Sequence, residues 1–82
     1  MNADSLQGGV KMIVLGVNRT SRMQWCQVLS NGRKYTCPTK EVDGKLYFIF
    51  KKVWHPVADF ISETADELVE ENGKFFWRPF TK

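Results

Sequence analysis

Cys26 and Cys37 are the only cysteines of the 82-residue chain, and His55 is its only histidine. Two thiols can form a disulfide, work as a redox pair, supply half of a metal site, or lie reduced in a core. Their surroundings narrow the choice. Asn31-Gly32 lies midway between them, and this dipeptide is a strong hairpin signal, because a type I′ turn needs positive φ at both central residues. Such a turn sets Ser30 opposite Arg33, Val28 opposite Tyr35 and Cys26 opposite Cys37. Opposed Cα atoms of a ladder lie about 4.5–5.5 Å apart, within reach of a disulfide. No secretion signal is read at the start of the chain, so a cytoplasmic location is expected. The thiols are then expected to stay reduced and to pack as small apolar residues.

Other chemistry finds less material. Structural zinc takes four ligands, and the cysteine spacing is not that of a zinc knuckle, so neither metal nor cofactor is expected. A Cys–His nucleophile pair needs contact that nothing in the sequence enforces. His55 precedes Pro56 and reads as a helix-start residue packed near Trp54. Phosphate-cradling glycine loops, HExxH and GxSxG are absent from the sequence. A non-catalytic domain is the expectation.

Binding chemistry is better supplied. Twelve Lys and Arg face nine Asp and Glu, a net charge of +3. Six of the nine acids, Asp59, Glu63, Asp66, Glu67, Glu70 and Glu71, fall between residues 56 and 72 with no basic residue among them, which leaves +9 for the rest. The basic residues expected to meet phosphates are Arg19 and Arg22 at one end of a sheet, and Arg33, Lys34, Lys51 and Lys52 at the other. Trp25 and Tyr35 are the rings expected to stack on bases, with Tyr47 and Trp54 as further candidates. Charge for phosphates and rings for bases are what a single-strand binding face needs. The alternative is a protein-interaction or inhibitor module whose Glu63, Asp66, Glu67, Glu70 and Glu71 dock on a basic partner surface. A plainer reading of the same acids is the solvated face of an amphipathic element. Glu70 and Glu71 resist that reading, because the last turn of a helix disfavours anions.

The elements that must position these groups follow from pattern. Val10–Val17 is apolar and rich in β-branched residues, a strand buried on both faces. Met23–Leu29 alternates in part, with Met23, Trp25 and Leu29 on one face and Cys26 and Val28 on the other. Arg33–Cys37 returns, and Pro38 must bend, bulge or end that strand. Asp43-Gly44 supplies a second hairpin turn, after which Lys45–Trp54 reads as one central strand. The spacing of Val57, Phe60, Ile61, Thr64, Ala65 and Leu68 predicts an amphipathic helix over residues 56–72, with Pro56 in its first turn and Asn72-Gly73 at its exit. Lys74–Phe80 closes the chain as a strand that Pro79 places at an edge.

The expected fold is therefore α+β: a mostly antiparallel sheet of about five strands, four of them a meander, in the order β-β-β-β-α-β, curved around one helix. A partly open small β-barrel with one helix is the alternative. Residues 1–9 are expected to form a flexible tail and residues 10–82 a single domain. No run of residues is long and apolar enough to suggest a membrane span. The chain is expected to be a monomer or a weak homodimer through residues 74–80, because an unpaired edge is a template for pairing.

Overall fold

The hairpin at Asn31-Gly32 fixes the register of the first half of the protein. The computed structural model describes residues 11–20 and 23–80. In it β2 (Gln24–Ser30) and β3 (Arg33–Val42) pair antiparallel, with Ser30 opposite Arg33, Val28 opposite Tyr35 and Cys26 opposite Cys37. Asn31 and Gly32 take φ of 53° and 78°, as a type I′ turn requires. The tail expected over residues 1–9 lies outside the described residues.

Further antiparallel strands extend the hairpin on both sides. β1 (Met12–Arg19) pairs with β2, β4 (Lys45–Phe50) with β3, and β5 (Val53–Pro56) with β4. A 3₁₀ turn, Val57–Asp59, leads into β6 (Ile61–Glu71), which runs parallel to β1 along its free side. β7 (Lys74–Pro79) returns antiparallel to β6. The result is one seven-stranded mixed sheet in the order β5-β4-β3-β2-β1-β6-β7.

Pro38 marks a corner. β3 pairs with β2 as far as Pro38 and with β4 only from Thr39 onward. A proline has no N–H to give a ladder, so the point where one ladder ends and the next begins accommodates it. The bend carries β4 and β5 over the concave side of the sheet, and the core forms between the two parts. Val14, Val17, Cys26, Val28, Phe48 and Val57 are fully buried there, with Phe50, Ile61 and Ala65 nearly so. Strand alternation puts these residues on one face and the polar residues between them on the other. β1 and β6 fit together through a large irregularity: Val14 pairs with Ile61 but Gly16 with Asp66, so β6 forms a bulge at which Glu63 and Thr64 are exposed while Ala65 stays in the core. A Ser62 hydroxyl accepting the Thr64 N–H at 3.2 Å holds the bulge.

The expected α+β class is incorrect, and so is the small barrel with one helix. Among the described residues the 3₁₀ turn is the only helical element, and the sheet has seven strands where about five were expected. Residues 61–71, read as most of a helix, are strand β6. Their apolar residues satisfy both periods: Ile61, Ala65 and Leu68 recur at helical spacing, while Ile61, Ala65 and Val69, together with the charged Glu67, turn to the same face of the strand and are the buried ones. Asn72-Gly73 is compatible with a helix exit, but with φ of 52° and 77° it forms a hairpin turn here. Electrostatics favours the strand. A helix would stack Glu63 on Glu67 and Glu67 on Glu70 and Glu71 as like-charge neighbours, whereas the hairpin sets Glu67 opposite Arg78 and Glu71 opposite Lys74. The unfavourable position of Glu70 and Glu71 at a helix end thereby disappears. The expected single strand Lys45–Trp54 is also two strands, folded back at Lys51-Lys52, so the meander has five strands.

Candidate nucleic-acid interface

Because one face of β2–β5 is buried, the opposite face is fixed by alternation. On β3 the concave positions Tyr35, Cys37 and Thr39 are half-buried or buried, and Lys34, Thr36, Pro38 and Lys40 between them are exposed. On β4 and β5, Leu46, Phe48, Phe50 and His55 turn inward, leaving Lys45, Tyr47, Ile49 and Trp54 on the outer face. β2 adds Trp25, Gln27 and Leu29. The outer face of these four strands thus presents Lys34, Lys40 and Lys45 among Trp25, Tyr47 and Trp54, with no carboxylate on it. Its centre is ordered by the Lys40 ammonium, 4.2 Å from the centroid of the Trp54 ring. Trp54 is 38% exposed. Beside Trp25 the face holds a shallow hollow of about 260 Å³, lined by Met23, Gln24, Trp25, Thr36 and Pro38.

The charge division read from the sequence belongs to different elements from those expected. The stretch 11–58, which includes the five strands of the meander, holds nine basic residues against Glu41 and Asp43 alone. Residues 59–80, the 3₁₀ turn end and the β6–β7 hairpin, hold six acids against Lys74 and Arg78. The positive field is therefore a property of the meander, and the negative one of the strand pair added to its side.

Arg33, Lys34, Lys51 and Lys52 lie at one end of the sheet, at the β2–β3 and β4–β5 turns. The two turns are tied together by the edge-on packing of Tyr35 against Phe50, with ring centroids 5.1 Å apart. Tyr35 is thus turned to the concave side, and the outward rings are Trp25, Tyr47 and Trp54. Arg19 lies at the opposite end and is engaged by two carboxylates, Glu67 at 3.4 Å and Glu41 at 3.6 Å. Arg22 lies outside the described residues. Lys40 and Lys45, expected with Arg19 and Arg22 at the Asp43-Gly44 end of the sheet, were not among the residues expected to contact phosphates. The outward direction of Lys40 follows by alternation from Cys37 in the register set by Asn31-Gly32, and that of Lys45 from its place opposite Val42 across the Asp43-Gly44 turn.

The acids do not form one row. Glu67 is 4% exposed and points to the concave side, where Arg78 Nε donates to it at 2.9 Å and Arg19 at 3.4 Å. Asp66 and Glu71 are exposed, Glu70 is half-buried, and Glu63 stands on the bulge. No helix presents these acids, because the element that carries Glu63 to Glu71 is a strand with alternate residues on opposite faces.

Cys26 and Cys37 are free and buried. Burial, with the neighbouring Cys37 adding to it, pushes the Cys26 thiol up from 9.0 to about 12, and burial raises Cys37 as well. Such thiols are poor nucleophiles, because the thiolate is the reactive form. His55 is on β5 rather than at a helix start, and it packs on Phe48 at 5.3 Å and Phe60 at 5.5 Å. Among the described residues no three His, Cys, Asp or Glu gather as metal ligands, and no helix is long and apolar enough to cross a membrane. No protein-family model, curated protein or solved structure matches the chain.

Proposed function

We propose that the protein is a non-catalytic binding module for single-stranded nucleic acid, which lies across the outer face of β2–β5. The observation behind this reading is the carboxylate-free face, where Lys34, Lys40 and Lys45 are interleaved with Trp25, Tyr47 and Trp54. Lysines take phosphates and rings stack on bases, a combination that suits single strands because every base has a π-face. The Lys40–Trp54 pair joins both functions in one place, with the ring held under a cation before any ligand arrives. The nine basic residues of the meander supply the field that attracts a polyanion. Fluorescence titration with short oligothymidylate and oligouridylate over a series of salt concentrations tests the reading. Affinity must fall linearly on a log–log plot of binding constant against salt. No binding at low salt would refute it.

Self-association through β7 is a second reading, favoured by the exposure of its aromatic residues. Phe75, Phe76 and Trp77 are 39–54% exposed. The Phe80 N–H donates to Ala65 across the hairpin, so alternation turns the backbone groups of Phe75 and Trp77 toward the open edge. That edge can accept a second copy as an added strand. Sedimentation of wild type and Trp77→Lys tests this. A dimer lost in the variant supports it, and a monomeric wild type refutes it.

A further inference from the structure

Four hairpins of the molecule reverse at two-residue turns with positive φ at both positions. Three use Asn31-Gly32, Asp43-Gly44 and Asn72-Gly73, the residue types that adopt this backbone most readily. The fourth, between β4 and β5, uses Lys51 and Lys52 at φ 51° and 68°. A lysine has no local stabilisation to offer a left-handed backbone, since its Cβ crowds the next carbonyl and its ammonium is too far away to bond there. Strained residues of this kind cluster at ligand sites, where the side chain is needed more than the easy turn.

The surroundings indicate which ligand. Lys51 Nζ lies 5.4 Å from the centroid of the Phe50 ring, and Lys52 is exposed. The Tyr35–Phe50 ring contact holds the β2–β3 turn alongside, and Arg33 and Lys34 follow that turn. None of the four cations is ion-paired among the described residues. The segments that bring them together, residues 11–40 and 44–58, contain no Asp or Glu. Four cations without an ion pair, on two turns joined by the Tyr35–Phe50 contact, suit an anion with several charges, which is the character of clustered phosphates.

We propose that the Lys51-Lys52 turn, with Arg33 and Lys34, is a phosphate anchor that takes the backbone of a nucleic-acid strand where it leaves the ring-bearing face. The inference rests on the reading of that face as the strand's track. The anchor itself acts by charge, so it is testable without bases.

The test is an amide-shift titration of isotope-labelled protein with tripolyphosphate and, separately, with a short single-stranded oligonucleotide. It compares wild type with Lys51→Asn/Lys52→Gly, which substitutes the residues found in two of the other turns. Tripolyphosphate is expected to shift residues 33, 34, 51 and 52 in wild type, and these shifts should vanish in the variant. For the oligonucleotide, losing two phosphate contacts should reduce the log–log salt slope by about 1.4. Tripolyphosphate shifts that are absent, or that fall elsewhere in wild type, overturn the anchor. So does a variant that binds oligonucleotide with the wild-type slope, a result that would leave the outer-face reading standing. Tripolyphosphate binding at the turn without any oligonucleotide binding would support the anchor and sink the outer-face reading.

Discussion

Exchanging Lys51-Lys52 for Asn-Gly should stabilise the protein while impairing its proposed function. A side-chain-bearing residue in the left-handed region costs about 1–2 kcal/mol, and Lys51 and Lys52 are both there, at φ 51° and 68°. Glycine removes the steric cost at the second position, and asparagine reduces it at the first by bonding to nearby backbone. Two effects oppose the gain. Glycine gives up about 0.5–1 kcal/mol more backbone freedom on folding. Losing the Lys51 ammonium from over the Phe50 ring, 5.4 Å from its centroid, removes a cation–π contact of about 0.5 kcal/mol. The net stabilisation is about 1 kcal/mol, equivalent to a rise in Tm of about 4–8 °C in a domain of this size. The assay is thermal melting followed by circular dichroism, with a urea midpoint that rises at constant slope. The reciprocal exchange, Asn72-Gly73 to Lys-Lys, should lower Tm by a comparable amount. A Tm for the Asn-Gly variant at or below wild type would show that the turn is not strained, and the argument from strain to function would lose its basis.

Further outcomes follow from the other contacts. Glu67→Gln should lower stability by about 1–3 kcal/mol by urea denaturation, because a buried acceptor of two charged donors loses its charge; the low end applies because Arg19 and Arg78 can turn toward water. Both cysteines should resist thiol reagents in the native protein at pH 8, and two thiols should be counted once it is unfolded without reductant. The folded pKa of Cys26 lies above its unfolded value. Its contribution to stability is therefore complete below pH 9 and is lost as pH rises toward 12, a decline that Cys26→Val should reduce in alkaline melts. Trp54→Ala should weaken oligonucleotide binding about 5–150-fold, the worth of one stacked base.

The Asn31-Gly32 hairpin was legible to the residue, since a two-residue turn leaves one register and the cysteines confirm the face. The edge position of the last strand was legible for a similarly local reason, because Pro79 has no N–H to give. The β6 strand was not. Its apolar residues suit both a helix and an alternating strand, and Asn-Gly ends either element, so only its partners decide. Glu67 finds Arg78 across the hairpin and Arg19 on β1, contacts separated by 11 and 48 residues in the chain. The Lys51-Lys52 turn was hidden because neither residue signals a reversal, and that same improbability makes it informative. Of the candidate site, the cluster of Arg33, Lys34, Lys51 and Lys52 was legible from the sheet ends. The inward turn of Tyr35 required knowing that Phe50 would fold over it, which depends on the bend at Pro38.

The most direct test of the central claim is to map where a single strand touches the protein. Isotope-labelled protein titrated with a short oligothymidylate at low ionic strength should show amide and indole shifts at Trp25, Lys34, Lys40, Lys45, Tyr47 and Trp54, fading as salt is added. Shifts confined to β6 and β7, or none at any ligand concentration, would contradict the account.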